Sequence, residues 1–92
     1  MKSVEELPNI GKTLSKKLLK IGISSEQDLV EIGSENAIIK IATIENSGVC
    51  LNMLYALEGA IQGIRWHDLS SFRKQELKEF FRIMEKDLRY MD

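Results

Sequence analysis

The sequence predicts a small all-α protein on three observations. Apolar residues recur at helical spacing through almost the whole length, strand-like alternation is absent, and the breaks fall at glycines or at Pro8. A chain of 92 residues buries only about 60–65% of the surface its unfolded form exposes. That suits one domain over residues 1–92, a multi-helix unit of about five to six helices around one modest core.

The elements follow in order. Ser3 with Glu6 is a capping-box pattern opening a brief first helix, and Leu7-Pro8 ends it because a residue before proline avoids helical backbone. A second helix is expected from about Gly11 to Ile21, with Leu14, Leu18 and Ile21 on one face. Gly22 supplies the left-handed position after it, and Ile23 packs back on Leu18 as a Schellman motif requires. Ser24 with Gln27 is a second capping-box match, opening a third helix that Gly33 closes after Ile32. Ser34 is the expected cap of a fourth helix carrying Ala37, Ile38, Ile41 and Ala42.

A turn at Glu45–Gly48 leads to the most apolar helix, about Cys50 to Ile64. There Ala56, Gly59, Ala60 and Gly63 line one face, a strip of small residues suited to close helix–helix contact in the core, or else to a homodimer interface. After a break at Trp66–Ser70, the last helix runs from about Ser71 to Arg89, with Phe72, Leu77, Phe80, Phe81, Met84 and Leu88 as its apolar residues. A weak repeat links two junctions: Leu7-x-x-Ile10-Gly11 precedes Ser15 as Leu29-x-x-Ile32-Gly33 precedes Ala37. Either a structural duplication or the general demands of a helix–glycine–helix turn would produce it.

Charge narrows the function classes. The formal net charge of −1 argues against a domain that is basic all over. The distribution is uneven, however. Residues 1–23 hold five lysines against Glu5 and Glu6, and residues 24–46 hold five acidic residues against Lys40. The single cysteine, Cys50, forbids an intrachain disulfide and favours a reducing compartment. Met1–Asn9 has no apolar run of the signal-peptide kind, and Val49–Ile64 is too short and too polar to span a bilayer, so a cytoplasmic location is expected. Cys50, inside an apolar run, reads as a small buried hydrophobe. One histidine and one cysteine do not make a metal-ligand set, and the local motifs of nucleophile families are absent. The expectation is a non-enzymatic protein with no metal, no cofactor and no evident small-molecule substrate.

The segment Leu7-Pro8-Asn9-Ile10-Gly11-Lys12-Thr13-Leu14-Ser15-Lys16-Lys17-Leu18 resembles a helix-hairpin-helix motif, the nucleic-acid-binding element of many repair and recombination proteins. The physics is general: a helix N-terminus offers unpaired N–H donors and partial positive charge to a phosphate. Asn9, Ile10, Gly11, Lys12 and Thr13 would form the cradle, with Lys12 and Lys16 as supporting cations. Asn9 stands where the motif commonly has its first glycine, and asparagine tolerates left-handed backbone. At the second junction, Glu31 and Glu35 flank Gly33 and would repel phosphate. Arg65, Trp66 and His67 form a candidate partner-binding patch, because Trp and Arg are enriched at binding hot spots. The alternative is that Trp66 plugs the junction before the last helix.

Longer stretches carry a family resemblance. Leu7 to Leu18, Gly22-Ile23 with Asp28-Leu29, and Gly33 with Ala37 resemble the opening of the TfoX (Sxy) C-terminal domain. Val49-Cys50-Leu51-Asn52-Met53-Leu54-Tyr55-Ala56-Leu57-Glu58-Gly59-Ala60, continued by Gly63-Ile64-Arg65-Trp66-His67-Asp68-Leu69, looks like that family's most distinctive segment. The resemblance covers residues 5–80. It implies an all-helical, helix-hairpin-helix-related domain linked to transcription control of DNA-uptake competence. It implies no catalytic residues. Regulators of that family usually carry an N-terminal TfoX domain, and a domain standing without one is the expectation here. The expected partners are DNA, a protein partner or a second copy of the chain.

Overall fold

The computed structural model describes residues 2–45 and 48–90, with side chains as far as Leu88. Among these residues the chain forms five α-helices: α1 (Lys12–Lys20), α2 (Glu26–Ile32), α3 (Ser34–Ile44), α4 (Leu51–Gln62) and α5 (Ser71–Tyr90). Short 3-10 turns occupy Val4–Glu6 and Trp66–Asp68. The middle of the turn expected at Glu45–Gly48, residues 46–47, lies outside the described residues. No described helix is long and apolar enough to cross a membrane.

The sequence patterns explain most boundaries. The Glu6 carboxylate accepts the Ser3 backbone N–H at 2.8 Å, and Pro8 then stops the first turn. After α1, Ile23 N–H donates to Leu18 O and Gly22 N–H to Leu19 O, the paired bonds of a Schellman motif. The same pair closes α4, from Ile64 to Gly59 and from Gly63 to Ala60, with Gly63 left-handed at φ 75°.

Three expectations about helix starts are corrected. Ser25, not Ser24, caps α2: its Oγ accepts the Asp28 N–H, and the Asp28 carboxylate accepts from the Ser24 N–H. The Ser-Ser doublet offers two capping registers. The later one wins because Lys2 O binds Glu26 N–H and Val4 N–H binds Ser24 O, pinning this segment extended against the N-terminus. Gly33, not Ser34, is the N-cap of α3, and Ser34 Oγ serves a buried carboxylate instead. Cys50 is exposed rather than buried, because it precedes α4 as an extended N-cap residue.

α4 is the central helix. Leu54, Leu57 and Ala60 are fully buried, and α2, α3, α5 and the Trp66–Asp68 turn all pack on it. Leu18 of α1, Leu29 of α2, Ile38 and Ile41 of α3 and Leu77 of α5 complete the core. Phe72, at the start of α5, has 75% of its surface exposed and takes no part in the core.

A buried carboxylate accompanies this packing. Glu58 of α4 is almost wholly inaccessible. Its Oε1 accepts from Ser34 Oγ at 2.7 Å and from Arg73 at 3.0 Å, and its Oε2 accepts from Gln62 at 2.7 Å. Arg73 also reaches Glu35 at 3.0 Å, so one guanidinium ties α5 to both α3 and α4. Burial pushes the Glu58 carboxyl up, but the Arg73, Gln62 and Ser34 hydrogen bonds outweigh it and hold the group below its ordinary value of 4.5.

The sign of the pH dependence follows. A lowered folded-state value makes Glu58 stabilising above the ordinary carboxylate value, and that contribution is lost as pH falls through the folded value. Arg73→Met leaves the burial unopposed by charge, so the Glu58 value rises and its contribution to the slope reverses. The variant should lose about 3 kcal/mol at neutral pH. In urea titrations from about pH 6 to about pH 3, its deficit against the wild type should shrink as the medium becomes more acidic. A deficit independent of pH would contradict this role for the pair.

Candidate nucleic-acid interface

The turn between the first 3-10 segment and α1 is built around Asn9. Its φ of 70° is left-handed, and among the described residues no other non-glycine residue has a positive φ. Asparagine tolerates this backbone better than most side chains. Gly11 follows as the extended N-cap of α1 and supplies no side-chain cap. The first backbone bond into the helix is Ser15 N–H to Gly11 O at 2.9 Å. The N–H groups of Lys12, Thr13 and Leu14 therefore have no acceptor among the described hydrogen bonds, the condition under which a helix start attracts an anion.

The side chains of the turn divide into two sets. Gly11, Lys12, Thr13 and Lys16 are exposed, and among the described residues neither lysine is paired with a carboxylate. Glu5, Ile10, Gly11, Lys12, Ser15 and Lys16 together line a shallow depression. Ile10 itself is buried. The Asn9 side chain turns inward: its Nδ2 donates to Ile64 O at 2.9 Å and, at 3.4 Å, to Ala56 O, while its Oδ1 accepts the Trp66 N–H at 3.1 Å. Asn9 thus contributes backbone shape to the turn and spends its amide on the far end of α4.

Two other lysines of this segment are engaged. Lys17 and Lys20 both bind Glu45, at the end of α3, and the Glu45 carboxyl is held below its ordinary range by the Lys17 hydrogen bond first and that of Lys20 second. Part of the basic surplus of residues 1–23 is therefore offset by Glu45, while Lys12 and Lys16 at the turn are in no ion pair among the described residues.

The second junction shares part of this design. Ala37 N–H donates to Gly33 O at 3.0 Å, as Ser15 does to Gly11, and Ser15 and Ala37 are both buried. The left-handed residue differs, being Gly33 itself at φ 82° in one turn and Asn9 in the other. Glu35 beside Gly33 is paired with Arg73.

At Arg65–His67, the Trp66 ring is half-buried against the core. It stacks on Tyr55 with centroids 5.8 Å apart and on His67 at 4.0 Å, and Lys74 Nζ lies 5.8 Å from its centroid. Arg65 and His67 are exposed. Cys50 and His67 flank opposite ends of α4, whose 12 residues rise about 18 Å, so they form no dyad. Among the described residues no group of three or more His, Cys, Asp or Glu is placed to hold a metal ion.

Sequence reasoning missed what Gly59 does. A Cβ there would lie 2.5 Å from Asn9 Nδ2, 2.9 Å from Ile64 O and 3.1 Å from Trp66 Cα. The small-residue strip thus admits an amide and a returning loop as well as neighbouring helices. The strip was visible in the sequence, but nothing local linked it to a residue fifty positions earlier. The Glu58–Arg73 pair was missed for the same reason.

The comparisons agree with this architecture. A family model, the TfoX C-terminal domain, matches residues 1–81, and the chain belongs to that family. A crystal structure of an uncharacterized protein from Listeria monocytogenes, in a triclinic form, is 48% identical with a TM-score of 0.86, covering 90% of this chain and 93% of that one. A tetragonal form of a Listeria monocytogenes protein of unknown function is 49% identical with a TM-score of 0.83, covering 87% and 98%. No curated protein matches the sequence.

The Asn9 contacts give a stability prediction. Asn9→Gly keeps the left-handed turn but leaves Ile64 O and Trp66 N–H without their partner, and should cost about 2 kcal/mol. Asn9→Ala adds backbone strain and should cost more. Gly59→Ala should cost about 2 kcal/mol through overpacking, despite its better helix propensity. Combined with Asn9→Gly, which removes the nearest clashing atom, the two losses should fall short of additive in thermal or urea unfolding. Full additivity would mean that the two residues do not share one contact.

Proposed function

We propose that this member of the TfoX C-terminal domain family is a non-enzymatic module that contacts DNA phosphate through the start of α1 and serves transcription control linked to competence. The observation that carries the reading is the uncapped helix start beside Lys12 and Lys16, two exposed lysines without a carboxylate partner among the described residues. Donors and cations of this kind neutralise backbone phosphate without reading sequence. Gly11, Lys12, Thr13 and Lys16 make the contact, while Asn9 and Ile10 shape and anchor the turn. Glu5, which lines the same depression, limits how much of the surface attracts an anion. A cytoplasmic location fits the reading.

A second reading, a protein-interaction module, is favoured by Arg65 and His67, which stand exposed on either side of the stacked Trp66. It differs in its test, because an Arg65→Ala/His67→Ala variant should then lose its partner while DNA affinity stays unchanged.

Anisotropy titrations of labelled duplex DNA at low salt test the phosphate contact. The wild type should bind with Kd of about 10⁻⁴ to 10⁻⁶ M, and the logarithm of its affinity should fall against log salt with a slope of about −2, as two lysines predict. Lys12→Glu/Lys16→Glu should abolish binding with no loss of thermal stability. Equal affinity of the two proteins, or no wild-type binding at about 10⁻⁴ M, would overturn the proposal.

A further inference from the structure

Three aromatic rings lead outward from α4. Trp66 stacks with both Tyr55 and His67, at centroid separations of 5.8 and 4.0 Å. Tyr55 and Trp66 are half-buried, whereas His67 is exposed, so the series ends on a ring open to solvent. Hydrogen bonds fix the turn that carries it. Lys74 Nζ donates to His67 O at 3.2 Å, and Tyr55 Oη donates to Lys74 O at 3.3 Å. The Lys74 ammonium is thereby kept beside the rings, 5.8 Å from the Trp66 centroid. Neither Lys74 nor the exposed Arg65 is in an ion pair among the described residues. An open aromatic plane with such cations beside it has the chemistry to hold a nucleobase by stacking and the adjoining phosphates by charge.

The rings adjoin the phosphate contact. Asn9 Oδ1 accepts the Trp66 N–H at 3.1 Å, so one asparagine side chain separates the backbones of the two turns. At 100° per residue, Tyr55 lies about 40° around α4 from Gly59, the residue against which the Asn9 amide packs. A strand lying across both turns meets helix-start donors with Lys12 and Lys16 at one, and the rings with Arg65 at the other. Such a strand must be unpaired. In a duplex each base is already stacked on its neighbours, whereas a single strand can turn a base face to a protein ring. Asp68, next to His67, and Glu5 at the α1 turn oppose part of the positive charge.

We infer that Arg65 and the Trp66–Asp68 turn form a stacking platform for an unpaired nucleobase, through which the chain holds single-stranded DNA by a base as well as by phosphate. The inference rests on the phosphate contact at α1, because one stacked base by itself gives affinity no better than about millimolar. It gives Arg65 and His67 a nucleic-acid ligand in place of a protein partner.

The test compares a labelled oligothymidylate with an abasic strand of the same length, which carries the same charge without bases, by anisotropy at low salt. The wild type should bind the thymidine strand about tenfold more tightly. His67→Glu should erase that preference and His67→Tyr, which keeps a ring, should retain it, with circular dichroism to show that both variants keep the fold. His67 is the single histidine, so NMR reads its ring protons directly. Their resonances should move upfield with the thymidine strand and stay in place with the abasic one. Equal affinity for the two strands, or a His67 ring unmoved by the thymidine strand, would overturn the inference. If duplex binding still depends on Lys12 and Lys16 in that case, the platform alone has failed. Duplex binding indifferent to Lys12→Glu/Lys16→Glu would overturn the phosphate contact and this inference with it.

Discussion

The side chain of Asn9 closes this fold. It joins the turn before α1 to the segment after α4 through two carbonyls and one N–H, and it can do so only because Gly59 leaves space beneath it. Ile64 O and Trp66 N–H lie just past the end of α4, where regular secondary structure cannot satisfy them, and a partly buried group without a partner costs free energy. One amide, with an acceptor and two donors, serves them from fifty residues away. The turn beside α1 takes its shape from the same residue, since the left-handed backbone of Asn9 aims Ile10 into the core and leaves Gly11 at the helix start.

Charge follows a related logic. The basic first quarter and the acidic second one meet at Glu45, where Lys17 and Lys20 converge. Glu58 and Glu35 are answered by Arg73 from the last helix. These pairs hold α1 on α3 and α5 on both α3 and α4, at junctions where a small apolar core provides limited area. Lys12 and Lys16 are left over at the α1 turn. A net charge of −1 therefore conceals two classes of cation, those that tie helices together and those that face solvent, and only the second class is available to a ligand.

Much of the architecture was legible because its causes are local. The Schellman motif at Gly22, the stop at Pro8 and the apolar spacing of α3 to α5 each depend on residues within one or two turns of one another. Local ambiguity also explains the errors. Ser24 and Ser25 offer equivalent caps, and contact with the N-terminal segment selects the second. Cys50 adjoins an apolar run without belonging to its helix.

By itself the sequence determined the all-α class, the order and approximate limits of the helices, the family, and the position of the glycine turn with its lysines. These rest on periodicity, capping and turn chemistry, which act over a few residues. Tertiary structure alone decided which side chains of that turn face solvent, which lysines are free and where the buried carboxylate finds its cation. It also decided why Gly59 is a glycine. Each of these depends on groups brought together from distant parts of the chain, as Asn9 is with Ile64, Lys17 with Glu45 and Ser34 with Glu58. No local pattern encodes such pairs, because packing sets their distances.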